Sequence, residues 1–323
     1  MSRSRFGLSA VILFAIGLST LPGAAAERTT MTPATTCDRA CLYGFLDKYL
    51  EALVKKDPSR LPLARHARFS ENSVELEIGD GLWNTISSRG KYDLRLADTK
   101  TGQVGWYGVV YEHGNPAAIA LRLKVEQGKI SEIETVLSRR VGDGPFPNPD
   151  PEALKDKPIL NEIVPEDRRR PRERMISIAD GYFDTLQLND GTIFTEFDPK
   201  CERIENGVQT THNPNLRPGD KIAAMGCEEQ FKMGAYGYDD RLRARRFPVI
   251  DEERGLVMAG GFIDHSARIT EVTLTDGTVR KSSYKSPHSF VLLELFKIVD
   301  GKIRQVEAVF TTVTYGTPTP WAH

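Results

Sequence analysis

Phe262-Ile263-Asp264-His265 sets two titratable side chains at the end of an apolar run. Successive side chains of an extended strand point to opposite faces, so at most one of Asp264 and His265 looks into a given interior. His288 stands at the start of another apolar run, residues 289–299, which Glu294 interrupts, and Glu307 lies among Val306, Ala308 and Val309. Carboxylates in apolar surroundings are desolvated. Their pKa values then move toward working pH, as proton transfer beside a carbonyl or hydroxyl requires, and a second donor must steady the developing oxyanion. Asp264 or His265 is the expected base, with His288 or Tyr236 as acid or oxyanion donor. Tyr182, Tyr238, Glu294 and Glu307 are the expected substrate contacts.

Each of these residues also has a plainer reading. Asp264-His265 suits a strand-to-turn junction closed by an Asx hydrogen bond. His288 follows Pro287 and suits a solvated turn. Glu307 has a counterpart, Glu134, which favours a shared structural role such as an arginine pair, and Tyr182 repeats as Tyr49, which favours core packing. His113 precedes Gly114-Asn115 and is expected to be exposed, whereas Trp83 is expected to point inward. Arg245-Arg246 reads as an exposed strand edge or as partners for Asp251 and Glu253. There is no Gly-x-Ser-x-Gly elbow, phosphate-cradling glycine loop, dinucleotide fingerprint or zincin pair, which disfavours the corresponding hydrolases, nucleotide enzymes and oxidoreductases. No cofactor or metal is expected.

The elements that must position these groups occur twice. Gly128-Lys129-Ile130 returns as Gly301-Lys302-Ile303, each a turn glycine opening an alternating run, and Tyr49-Leu50 returns as Tyr182-Phe183. Glu71-Asn72 and Glu205-Asn206 extend the match. Apolar spacings of three and four predict helices over residues 41–56 and 172–188. A short helix or turn is expected over 61–69, a strand over 74–78, and a short helix near Trp83. Period-two runs then predict strands over 92–97, 105–112, 117–126 and 129–138. In the second copy, residues 191–197 echo the short helix, and 201–244 are an insertion. Strands follow over 246–250, 255–265, 268–273, 289–299 and 302–314. Between the copies, residues 141–171 carry seven prolines and read as an extended surface linker.

A helix with an inward tyrosine, a short second helix and a sheet ending in Gly-Lys-Ile resemble the nuclear transport factor 2-like, or SnoaL-like, fold. Cys37-Asp38-Arg39-Ala40-Cys41-Leu42 and the stretch from Arg245 to Gly255 resemble a tandem subgroup of secreted bacterial and fungal proteins. The resemblance implies an α+β chain of two tandem cone-shaped barrels, over residues 37–140 and 172–315, each a bent antiparallel sheet wrapped on its N-terminal helices. It also implies an apolar pocket open at one end. Cofactor-independent lyase, isomerase or dehydratase chemistry on a small hydroxy or carbonyl compound, aromatic and lignin-derived in one version, is the expectation. Capture of a hydrophobic ligand without turnover, or a protein-interaction role, is the alternative. The second copy, with its richer polar wall, is the expected site. Pairing through the open sheet face, within the chain or between copies, is left open.

Arg3 and Arg5 precede an apolar run over residues 8–21 that ends in Pro22-Gly23-Ala24-Ala25-Ala26, the pattern of a secretory signal peptide over residues 1–26. The run is short for a bilayer span, so a periplasmic or secreted protein without a membrane anchor is expected. Four cysteines in such a compartment suggest two disulfides. Three pairings are open, of which Cys37 with Cys41 and Cys201 with Cys227 is preferred. A net charge of −1 gives no reason to expect nucleic acid, and Arg168-Arg169-Arg170-Pro171-Arg172 reads as a solvated linker face.

Overall fold

The computed structural model describes residues 37–139, 151–217 and 219–321. The signal-peptide reading and linker residues 141–150 lie outside the described residues. Helix α1 (Arg39–Val54) starts where the Asp38 carboxylate accepts a hydrogen bond from the Cys41 amide at 2.8 Å, and a disulfide joins Cys37 to Cys41 there. Its apolar stripe of Leu42, Leu46, Tyr49, Leu50 and Leu53 is buried. Strands β1 (Leu63–Glu71) and β2 (Val74–Leu76) follow, then the short helix α2 (Leu82–Thr85) with Trp83 buried. The half closes with β3 (Ile86–Asp98), β4 (Gln103–Glu112), β5 (Asn115–Glu126) and β6 (Lys129–Arg139).

Short helix α3 (Pro158–Asn161) leads to α4 (Arg172–Leu188), which ends at Asn189 in the left-handed conformation. Strands β7 (Phe197–Glu205) and β8 (Val208–Gln209) come next, followed by helix α5 (Cys227–Lys232). Strands β9 (Arg241–Asp251) and β10 (Leu256–His265) follow, then a small hairpin of β11 (Glu271–Thr273) and β12 (Val279–Lys281). Strands β13 (His288–Val299) and β14 (Lys302–Val313) complete the second half.

The two six-stranded sheets share one plan. Their orders are β2-β1-β6-β5-β4-β3 and β8-β7-β14-β13-β10-β9, with the β1–β6 and β7–β14 pairs parallel and the rest antiparallel. The chain is therefore an α+β protein of two similar halves with mixed sheets. The repeated glycine turns hold positive φ at both central residues, Gln127-Gly128 and Asp300-Gly301, a geometry that matches strand twist and favours glycine. The repeated asparagines also share a task. Asn72 brackets Leu137 through its carbonyl and amide, and Asn206 brackets Phe310 in the same way.

Several sequence expectations are corrected. Residues 61–69 form mainly strand β1, because Phe69, Ser70 and Glu71 pair with β2 and β6. Residues 191–197 hold no helix; α5, tied to β7 by the Cys201–Cys227 disulfide, follows the strand pair as α2 does. Cys201 thus belongs to a shared strand, and the extra length splits between the segment around α5 and the β11–β12 hairpin. The expected strand over 268–273 shrinks to β11. The linker does not simply lie on the surface, since Leu160 and Val164 are buried. Arg245 pairs with Asp180 and Asp184, and Arg246 with Glu134, because Asp251 and Glu253 are already held by Arg39.

The central strands are apolar on both faces. In β13, Phe290, Leu292 and Phe296 face the helix of their own half, while Val291, Leu293 and Leu295 join a shared core with Ala118, Ala120 and Val136 of the first half. Double-sided burial explains runs that lack polar alternation. The halves also exchange reciprocal contacts. Arg39 at the start of α1 reaches Asp251 at 2.6 Å, and Arg172 at the start of α4 reaches Asp98 at 2.6 Å. Each carboxylate also accepts a backbone amide across the junction, from Ala97 and from Ile250. Asp98→Ala and Asp251→Ala should therefore each cost about 2–4 kcal/mol in urea unfolding, because each strands a buried donor set. Losses under about 1 kcal/mol would show that these contacts do not hold the halves together.

Candidate functional site

The repeat provides an internal reference for the second half. Phe69 and Arg203 each precede their repeated asparagine by three residues, and Leu121 and Glu294 each precede their turn glycine by seven. Phe69 and Leu121 are buried in the first core. Arg203 and Glu294 are buried at the matching places in the second, each 4% exposed. Ionisable side chains in core positions are costly unless paired, and where they line a cleft they are candidates for a functional site. Here they border a cavity of about 120 Å³ whose apolar wall comes from Leu186, Ile263, Phe290, Leu292 and Phe310.

Arg203 is partnered on three sides. It donates to Gln230 at 3.1 Å, to the Tyr236 hydroxyl at 2.7 Å and to Glu205, and its guanidinium lies 4.9 Å from the Tyr236 ring centre. Its Nε is buried with no hydrogen-bond partner. Burial raises the Glu294 pKa to about 8, with Arg203 partly opposing the shift, so this acid carries a proton at neutral pH.

His265 supplies the opposite chemistry. Burial pushes its pKa down to about 4, and neighbouring His288 adds to the shift, so the imidazole is neutral. Its Nδ1 lies 3.3 Å from Asp239 Oδ1 and 3.5 Å from the Tyr238 carbonyl. The Tyr238 carbonyl can only accept, which assigns the ring proton to Nδ1 and leaves Nε2, which has no partner, as a lone pair. Burial also holds the Asp239 pKa well above the usual range. Desolvation thus favours the uncharged pair, despite the close approach of the two groups.

The structure sorts the sequence candidates. His265, Tyr236, Tyr182, Tyr238 and Glu294 line the cavity. Tyr236 has its hydroxyl engaged, accepting from Arg203 and donating to Gln230 at 2.7 Å, which suits a positioning residue better than an acid. Asp264 shares the Phe262 face and meets Arg241, Arg243 and Ser289 away from the cavity. Although burial opposes it, those hydrogen bonds hold its carboxylate below the ordinary range. His288 stacks 4.7 Å from His265, with Nδ1 2.9 Å from the Ser286 carbonyl, but does not line the cavity. Glu307 faces the shared core, where Tyr92 donates to it, and burial raises its pKa to about 7. Its expected arginine pair is absent because Leu295 stands opposite it, where Arg122 stands opposite Glu134. Arg203, Asp239 and Gln230 were missed. The repeat itself would have exposed Arg203, through alignment with Phe69.

Among the described residues no cluster of ligating side chains could hold a metal, and no helix is long and apolar enough to cross a membrane. The two disulfides are compatible with an extracellular protein.

Residues 168–310 match the family model described as Domain of unknown function (DUF8021). No curated protein matches the chain. Similar solved structures include an NTF2-like protein from Cytophaga hutchinsonii, 14% identical, covering 45% of this chain and 99% of its own, with a TM-score of 0.26. AclR from Streptomyces galilaeus is 14% identical over 40% of this chain and 92% of its own, with a TM-score of 0.28. A de novo designed protein with a curved β-sheet is 15% identical over 31% of this chain and 88% of its own, with a TM-score of 0.26.

His265 gives a direct check. Its folded pKa, about 4, lies below the unfolded value of 6.5, so its contribution to stability is fully present above pH 6.5 and is lost as pH falls through 4. Its ring carbon-bound proton resonances should stay unshifted between pH 5.5 and 8. His265→Gln should remove on the order of 2–3 kcal/mol of acid sensitivity from the urea-unfolding profile. A titration near pH 6.5 would contradict the assigned environment.

Proposed function

We propose that the second-half cavity binds a small, largely apolar hydroxy or carbonyl compound and moves a proton on it without a cofactor, as a lyase, isomerase or dehydratase does. The observation that carries this reading is the unpartnered Nε2 of neutral, cavity-lining His265, with Asp239 beside its other nitrogen. His265 accepts the proton, and the Tyr238 carbonyl beside Nδ1 orients the ring. Protonated Glu294 and Arg203 Nε stand as donors for the oxygen on which charge develops. Tyr182 and Tyr238 shape the wall, and Tyr236 holds Arg203. The apolar share of the lining supports a second reading, capture of the same kind of ligand without turnover. The disulfides support placing the mature chain in the periplasm or outside the cell after removal of residues 1–26.

The test is solvent-deuterium incorporation into a panel of small hydroxy and carbonyl compounds, with binding followed separately. His265→Asn should cut exchange by about 10²–10⁴-fold while affinity changes by less than about threefold. Binding without exchange by the wild-type protein would establish the capture reading instead.

A further inference from the structure

A second cavity, of about 80 Å³, adjoins the first and shares Arg217, Tyr238, Arg280 and Tyr284 with it. The two tyrosine rings meet edge to face at 5.2 Å, and both border each cavity. The second cavity is lined by Arg217, Arg280 and Lys281 but by no carboxylate. Arg280 and Lys281 sit on β12 of the small hairpin, for which the first half has no equivalent. Arg280 is held in place by Asp220 at 3.0 Å, and Lys281 lies opposite Glu271 in the hairpin register.

Arginine and lysine donate hydrogen bonds and accept none. The second cavity presents such donors, and the first presents the buried, unpartnered Arg203 Nε. A ligand spanning both must therefore offer acceptors at both ends with an apolar body between them. The cations at the second cavity's end favour a full negative charge there, by attraction and by charge-assisted hydrogen bonds.

We propose that the ligand is a small organic monoanion, a carboxylate whose charged end rests in the second cavity beside Arg280 and Lys281. Its apolar body lies against Phe290 and Leu292, and a second oxygen meets Arg203 Nε. This deepens, and rests on, the proton-transfer reading of the same site.

The experiment compares benzoate, 3-phenylpropanoate and hexanoate with their neutral amides by calorimetry, at low and at physiological salt. The probes are offered to the wild-type protein and to an Arg280→Gln/Lys281→Gln variant. At least one acid should bind about tenfold or more tightly than its amide, with the advantage shrinking as salt rises. In the variant the advantage should fall to about twofold or less while amide affinity is kept. Equal binding of acid and amide, a preference that survives in the variant, or no binding by any of the three acids would overturn the proposal. If the variant fails to fold, the wild-type ratio and its salt dependence decide. His265→Asn should keep the acid preference. Acid preference without any exchange chemistry would leave this inference standing and remove the proton-transfer reading, whereas exchange confined to neutral compounds would do the reverse.

Discussion

Everything distinctive about the second half follows from one guanidinium in an interior that the first half fills with a phenyl ring. An unpaired arginine cannot stay in such surroundings, so Glu205, Gln230 and Tyr236 gather around Arg203, and the chain needs α5 and its flanking loops to bring two of them there. The Cys201–Cys227 disulfide fixes α5 against β7, two residues from Arg203. Packing that would have closed the core is thereby replaced by a polar network beside a cavity. Glu294 and His265 then fall in a buried setting that holds both uncharged at neutral pH, so an acid and a base coexist without neutralising each other.

The first half makes this arrangement tolerable. Its interior is closed by Phe69, Trp83 and Leu121, and it packs one sheet face against the second half through the shared apolar core. Reciprocal pairs, Arg39 with Asp251 and Arg172 with Asp98, fix the registry of the two sheets. The C-terminal segment adds a tie of its own. Trp321 packs between Arg68 and Arg122, with its indole donating to Ser70 at 2.9 Å. Among the described residues, most unpaired buried polar groups thus lie in the second half, the first leaving only Trp83 Nε1 and the Tyr107 hydroxyl, a division that duplication permits.

Much of this was legible in the sequence, and the limits have physical causes. The helices α1 and α4 and the long strands were visible because their apolar spacing is strong, and the repeated Gly-Lys-Ile turns located equivalent strands in both halves. Strand β1 was hidden because its mixed pattern, Leu63–Glu71, owes its conformation to parallel pairing with β6, a long-range contact that local spacing does not encode. Period-two alternation correctly limited Asp264 and His265 to opposite faces but left open which face held the cavity. The neighbours of its Nδ1, Tyr238 and Asp239, are distant in sequence and reach His265 only through the fold. Glu294 stood out as a break in an apolar run, and the cavity wall confirms its inward face.

The central claim is that Glu294 sits where the fold would prefer leucine and is retained for chemistry. Glu294→Leu, which copies Leu121 of the first half, tests it most directly, with urea unfolding at pH 8 run alongside the exchange assay. The folded pKa of about 8 exceeds the unfolded 4.5, so the stability tied to this proton is fully present below pH 4.5 and is lost as pH rises through 8. The variant should therefore be more stable than the wild type at pH 8, by on the order of 1–4 kcal/mol, and should lose exchange activity. A variant that is less stable yet keeps its activity would make Glu294 a structural residue and contradict the account.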